Sequence, residues 1–127
     1  MQAEEREGLI IVIKDFIEMG HVENIVAMFK QDTSLYALTG ELISDERFVV
    51  RMGVAVLFEE LKATNPEDVA LALPALMPLL QEKRAYLRGE AVSLLITIDT
   101  PEAALAIRQL KEDPDPQVAE MVQDYLG

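Results

Sequence analysis

Residues 66–98 read PEDVALALPALMPLLQEKRAYLRGEAVSLLITI, and the fold class turns on how this stretch is punctuated. Asn65 stands before it as an N-cap, and Pro66 takes the first helical position, where a missing N–H costs nothing. An apolar helix then runs to about Gln81, and Pro74 and Pro78 inside it each remove a backbone hydrogen bond, so it should bend or split. The charged triplet Glu82-Lys83-Arg84 turns the chain into a second apolar helix. Two antiparallel helices joined by a tight turn form an αα-hairpin. Such a hairpin cannot bury its outer faces alone, so its neighbours should be of the same kind.

The flanking sequence supplies them. Residues 5–19 place Leu9, Ile10, Ile13, Phe16 and Ile17 at the three-four spacing of an amphipathic helix, which Gly20 ends in a left-handed cap. His21 to Lys30 repeats the spacing with Val22, Ile25, Val26 and Phe29. After a break at Gln31-Asp32-Thr33-Ser34, in which Thr33 or Ser34 can act as cap, a short helix covers about Leu35 to Ile43. Gly40 lowers that helix's intrinsic stability by roughly 1 kcal/mol. Ser44 then caps a long helix to about Lys62, with Phe48, Val50, Val54, Leu57, Phe58 and Leu61 on its buried face. Beyond the opening stretch, Asp99-Thr100-Pro101-Glu102 restarts a helix carrying Ala103, Ala104, Leu105, Ile107 and Leu110. The rigid turn Asp113-Pro114-Asp115-Pro116 follows, and Asp115 caps a last helix with Val118, Met121, Val122, Tyr125 and Leu126. The count is eight helices. Short apolar runs such as Leu9 to Ile13 find no alternating partner segment and are not read as strands. The chain is therefore expected to be all-α, one domain over residues 1–127, in four antiparallel pairs at about 5–31, 33–62, 66–98 and 100–127.

Composition narrows the function classes. Half of the 127 residues are apolar, enough for a packed core. Cysteine is absent, which excludes disulfides, thiolate metal sites and a cysteine nucleophile, and His21 is the sole histidine, which removes sites built on two or more. Acidic residues outnumber basic ones 23 to 11, so phosphate-rich partners such as nucleic acid and anionic membrane are disfavoured. A basic protein would be attracted at low salt, although the plainest reading of the charge is solubility. Glu4, Glu5 and Glu7 stand where a signal peptide needs cations, and no apolar run approaches the roughly 20 residues of a membrane span. A cytoplasmic location is the expectation.

The second helices of the pairs repeat. Val50, Val54 and Phe58 align with Leu87, Ala91 and Leu95, and these with Val118, Val122 and Leu126; Val22 and Val26 align more weakly. The offsets are 28, 37 and 31 residues, in the range of helical repeats that stack pair on pair around one continuous core. An acid also stands six residues before an arginine twice, as Asp45 before Arg51 and Glu82 before Arg88. The acid falls in the turn and the arginine in the first turns of the second helix, so the two can build a ladder of side-chain-to-backbone and inter-pair hydrogen bonds. Asp113 keeps the acid while Ala119 replaces the arginine, as expected of the last member of a stack.

On these residues the chain resembles the HEAT-repeat family. The resemblance is carried by Leu73-Pro74-Ala75-Leu76-Met77-Pro78-Leu79-Leu80, by Tyr86-Leu87-Arg88 with Ala91 and Leu95, and by the turn Asp113 to Val118; it covers about 44–127 and is poor over 1–43. It implies a right-handed α-α superhelix, first helices on the convex side and second helices on the concave side. It also implies a non-enzymatic module that binds another protein on its concave face. Some bacterial members resemble bilin-lyase subunits, and one HEAT-like group excises alkylated bases from DNA, so an enzyme or lyase-type subunit acting on a tetrapyrrole or modified base is the alternative. The base-excising group uses a basic concave surface with aromatics, whereas this chain is acidic and has no tryptophan.

No catalytic, cofactor or metal constellation stands out. Arg51 and Arg88 could hold an anionic ligand, but each has its matched acid, which favours the ladder. His21 has no companion and reads as a turn residue. Glu59 and Glu60, with Glu67 and Asp68, lack the spacing of a calcium loop and read as a solvated face. Most of Met19, Met28, Met52, Met77 and Met121 fall on apolar helical faces as core fillers. If Val50, Val54 and Phe58 face inward, Met52, Val56 and Glu59 point roughly 140° to 200° away at 100° per residue. Their counterparts are Gly89 and Ser93, then Glu120 and Asp124, giving a partner-binding strip that is apolar at one end and acidic at the other. Self-association through the N-terminal pair is a third possibility, so monomer and homodimer both stay open.

Overall fold

The computed structural model describes residues 2–127 and is all-α, with no strand among the described residues. Helix α1 spans Ala3–Glu18, α2 Val22–Gln31, α3 Thr39–Ile43, α4 Phe48–Thr64, α5 Leu73–Leu76, α6 Ala85–Ile98, α7 Pro101–Arg108 and α8 Pro116–Leu126. No helix among the described residues is long and apolar enough to cross a membrane.

The helices fall into two kinds. Of one kind, α4 and α6 pack on one another, with α2 against the outer side of α4 and α8 against that of α6, so α2, α4, α6 and α8 form a row in chain order, and α1 packs against α4 and α2 at its first end. Beside this row runs a broken layer. The segment expected as one helix at Leu35 to Ile43 is a 3-10 turn, Thr33–Leu38, leading into α3. The segment expected as one helix from Pro66 to Gln81 is split into the 3-10 turn Asp68–Ala72, the single turn α5 and the 3-10 turn Met77–Gln81. Pro74 opens α5 and Pro78 opens the last turn, so each split coincides with a lost N–H. The layer is held together at close range. A Cβ on Gly40 of α3 would lie 2.9 Å from the Ala75 carbonyl oxygen of α5, so only glycine permits this approach.

Gly20, Thr100 and Asp115 act as the sequence reading expects, whereas the caps assigned to Thr33 or Ser34, Ser44 and Asn65 resolve differently. Gly20 ends α1 with φ 87°, the left-handed conformation expected of it, and Asp99 adopts a second left-handed turn after α6 at φ 51°. Thr100 and Asp115 accept hydrogen bonds from the backbone N–H groups of Ala103 and Val118, as expected of caps. Asp32, not Thr33 or Ser34, caps the turn before α3, because its Oδ1 reaches the Ser34 N–H at 3.1 Å. Ser44 does not cap α4. Its hydroxyl donates back to the Gly40 carbonyl oxygen at 2.7 Å, closing α3, and α4 begins only at Phe48. Asn65 gives no side-chain cap either, since the chain after it enters a 3-10 turn.

One hydrophobic core runs from Ile10 and Ile13 of α1 to Val118 and Val122 of α8. The aligned residues Val50, Val54, Phe58, Leu87, Ala91 and Leu95 are all at most 1% exposed. Tyr36 is clamped edge-on by Phe29 and Phe58, at centroid distances of 5.0 and 6.0 Å. Burial, aided by the charge of Asp68, pushes its phenol up to about 12. Phe48, expected in the core, is 58% exposed. It sits two residues before Val50, roughly 200° round the helix, and so falls on the opposite face.

Candidate functional site

The turns that deliver the row of helices are built alike. The residues preceding α4, α6 and α8 are Arg47, Arg84 and Asp115, with φ/ψ of −75°/117°, −78°/118° and −84°/120°. They are separated by the same 37 and 31 residues as the apolar stripes. Inside the first two helices an arginine reaches back to its own turn. Arg51 Nη1 donates to the carbonyl oxygens of Asp45 (2.8 Å) and Glu46 (2.9 Å). Arg88 Nη1 donates to those of Glu82 (2.8 Å) and Lys83 (2.9 Å).

The acid six residues earlier thus receives its arginine through its backbone carbonyl, the side-chain-to-backbone contact expected of the ladder, and not through its carboxylate. The reason is reach: the acid's side chain is already engaged. The Asp45 carboxylate accepts from the Arg47 backbone N–H and guanidinium at 2.9 Å and pairs with Lys14 of α1 at 3.1 Å. The Arg47 guanidinium, first, and then Lys14 hold it well below the usual carboxylate range. Arg47 also reaches Glu18 of α1 at 3.1 Å, so this turn is riveted to the preceding pair. Glu82 is turned toward Arg84 at 3.1 Å, which lowers its pKa. The remaining guanidinium edge of each arginine points to the following pair. Arg88 grips Asp113 with Nε and Nη2, both at 2.8 Å, and Asp113 is in turn fixed by the Asp115 N–H at 2.9 Å. Arg51 instead donates Nε to Glu90 of α6 at 2.9 Å.

Above this ladder lies the outward face of the row. Phe48, Val49, Met52 and Val56 form a continuous exposed apolar stripe on α4, exposed by 58%, 46%, 55% and 42%. Met52 and Val56 are thus not covered by a neighbouring pair, and Met52 is not a core filler. Neither is Met19, while Met28, Met77 and Met121 pack partly buried against the core. Glu59, Glu120 and Asp124 are exposed as well. Gly89 and Ser93 do not stand clear of the surface but are half-buried in a groove of about 430 Å³ between α4, α6 and α8. The groove exists because α6 presents the small residues Ala85, Gly89 and Ser93 at successive turns, while Phe48 of α4 and Met121 of α8 rise on either side. The Arg51 guanidinium lies over the rings of both Phe48 (5.6 Å) and Tyr86 (5.1 Å), which holds these exposed aromatics upright at the rim.

The sequence reading does not include Phe48, Val49, Tyr86 or Glu90 in the partner-binding strip: it places Phe48 in the core and names Tyr86 only in the repeat pattern. The signal for Phe48 was present, because 48, 52 and 56 share one helical stripe. Among the described residues no group of three or more His, Asp or Glu side chains is placed to hold a metal. His21 is an exposed turn residue 3.9 Å from Glu23. No protein-family model, no curated protein and no solved structure matches this chain.

Proposed function

We propose that the chain is a non-enzymatic protein-binding module, a right-handed HEAT-like α-solenoid of four helix pairs that holds a partner on the face of its second helices. The aligned turns before α4, α6 and α8 and the duplicated arginine contacts support the repeat. The observation that carries the function is the apolar stripe Phe48, Val49, Met52 and Val56, left in solvent on a helix whose opposite side is fully packed. Affinity capture from a cognate lysate, run in parallel with a Met52→Asp/Val56→Asp variant, tests it. A partner recovered by the parent chain and lost by the variant is expected; equal recovery by both overturns the reading.

Self-association is a second reading with its own observation. Ile11 and Val12 of α1, on the first pair, are 59% and 46% exposed. An unpaired end of a helical stack is covered by polar side chains or by another copy. Light scattering giving a dimer that an Ile11→Asp/Val12→Asp variant converts to monomer would support it.

A further inference from the structure

The outward positions of the three packed helices change character in order. Met52 and Val56 on α4 correspond to Gly89 and Ser93 on α6 and to Glu120 and Asp124 on α8. The face is therefore apolar on α4, recessed on α6 and acidic on α8. The charges on these helices are also unevenly committed. Their cations are Arg51, Lys62 and Arg88, and all are engaged: Arg51 with Glu90, Lys62 with the Ile98 carbonyl oxygen at 2.6 Å, and Arg88 with Asp113. Their acids are Glu59, Glu60, Glu90, Glu120 and Asp124, and only Glu90 is paired with a cation. What remains free to meet a partner is apolar surface and negative charge, with no free cation among these three helices.

Resting on the protein-binding reading above, we propose that this face receives an amphipathic, lysine- or arginine-bearing helical segment of a partner protein, laid across α4, α6 and α8. Its apolar side chains rest on Phe48, Met52 and Val56 and enter the groove over Gly89 and Ser93; its cations meet Glu120 and Asp124. The dimensions agree. Packed helix axes lie about 8–10 Å apart, so crossing three of them takes about 20 Å. That is about 13 residues of helix at 1.5 Å per residue. The apolar contacts supply affinity, and the acidic end fixes direction and rejects acidic competitors.

The test is selection of a displayed random peptide library, biased to helix, on the full chain. Each enriched peptide is then measured by fluorescence anisotropy against Met52→Asp/Val56→Asp and against Glu120→Lys/Asp124→Lys. All four positions are exposed apart from the ladder contacts, and circular dichroism of each variant verifies that it folds. Enriched peptides are expected to pair an apolar stripe with Lys or Arg, and to lose about tenfold or more in affinity on either variant, with binding weakened by salt. Peptides that depend on Met52 and Val56 but are neutral or acidic, or that bind the charge-reversed variant equally, overturn the basic partner and leave the protein-binding face standing. Enrichment indifferent to Met52→Asp/Val56→Asp, or no enrichment, overturns both.

Discussion

Arg51 and Arg88 stand at the same point of successive helix pairs, and each closes the turn behind it through two carbonyl oxygens at matching distances. Ahead of them the surroundings diverge. Arg88 meets Asp113, a turn carboxylate with a side chain 2% exposed, in a two-pronged contact. Arg51 meets Glu90, a helix-face carboxylate 31% exposed, by one prong, and spends its ring-facing surfaces on Phe48 and Tyr86. The backbone half of the contact is a property of the repeat. The side-chain half is where one pair is sealed and the other is left open as a groove.

That difference is measurable. Arg88→Ala leaves a nearly buried carboxylate and the turn carbonyls short of donors, and should cost about 3 kcal/mol in urea denaturation. A cost no larger than that of the Arg51 variant would break the distinction between the two sites. Gly53 aligns with Glu90 by the same 37-residue offset, and here the pairs differ sterically. A Cβ on Gly53 would fall 2.2 Å from Ile17 Cγ2 of α1, a β-branched, buried side chain with little freedom to move. Gly53→Ala should therefore cost about 2 kcal/mol, overpacking outweighing roughly 1 kcal/mol of gained helix propensity. A variant as stable as the parent would show that α1 can shift off α4. Arg51→Ala should cost only about 1 kcal/mol, since Glu90 can turn to water. It should also free Tyr86, seen as a sharper temperature dependence of its ring resonances.

The smallest effect is the acid one. Arg88, above all, holds the Asp113 carboxyl below the ordinary carboxylate value. Because the folded value lies below the unfolded one, the stabilisation is complete above about pH 4 and is lost as pH falls through the folded value. Asp113→Asn should flatten the fall of melting temperature in that acid range and leave no extra pH dependence near neutrality. An unchanged acid slope would place the acid sensitivity at Asp45, whose carboxyl is lowered more strongly than that of Asp113.

The helices, their order and most of the core were legible because apolar spacing and the proline and Gly20 signals are local. Phe48 shows the limit of propensity reading. It was placed in the core for its type, although its angular position opposed that, and the angle decides. The ladder of side-chain-to-backbone and inter-pair hydrogen bonds was legible because the spacing from turn acid to arginine repeats along the chain. Glu90 and Gly53 were invisible for a further reason: both answer to a residue in a neighbouring pair, Arg51 and Ile17, and nothing local marks either.

The proline-broken outer layer carries a consequence for motion. Its 3-10 turns have poorer hydrogen-bond geometry than α4 and α6, and Pro74 and Pro78 contribute no amide at all. Amide hydrogen exchange over residues 66–81 should therefore proceed through small local openings, while the midsections of α4 and α6 exchange only when the whole chain unfolds. The molecule is then stiff on the side that carries Met52 and Val56 and compliant on the side behind it, like a leaf spring with one laminate scored. Bending is taken up by rearranging single turns, and the spacing of side chains on the stiff side is preserved.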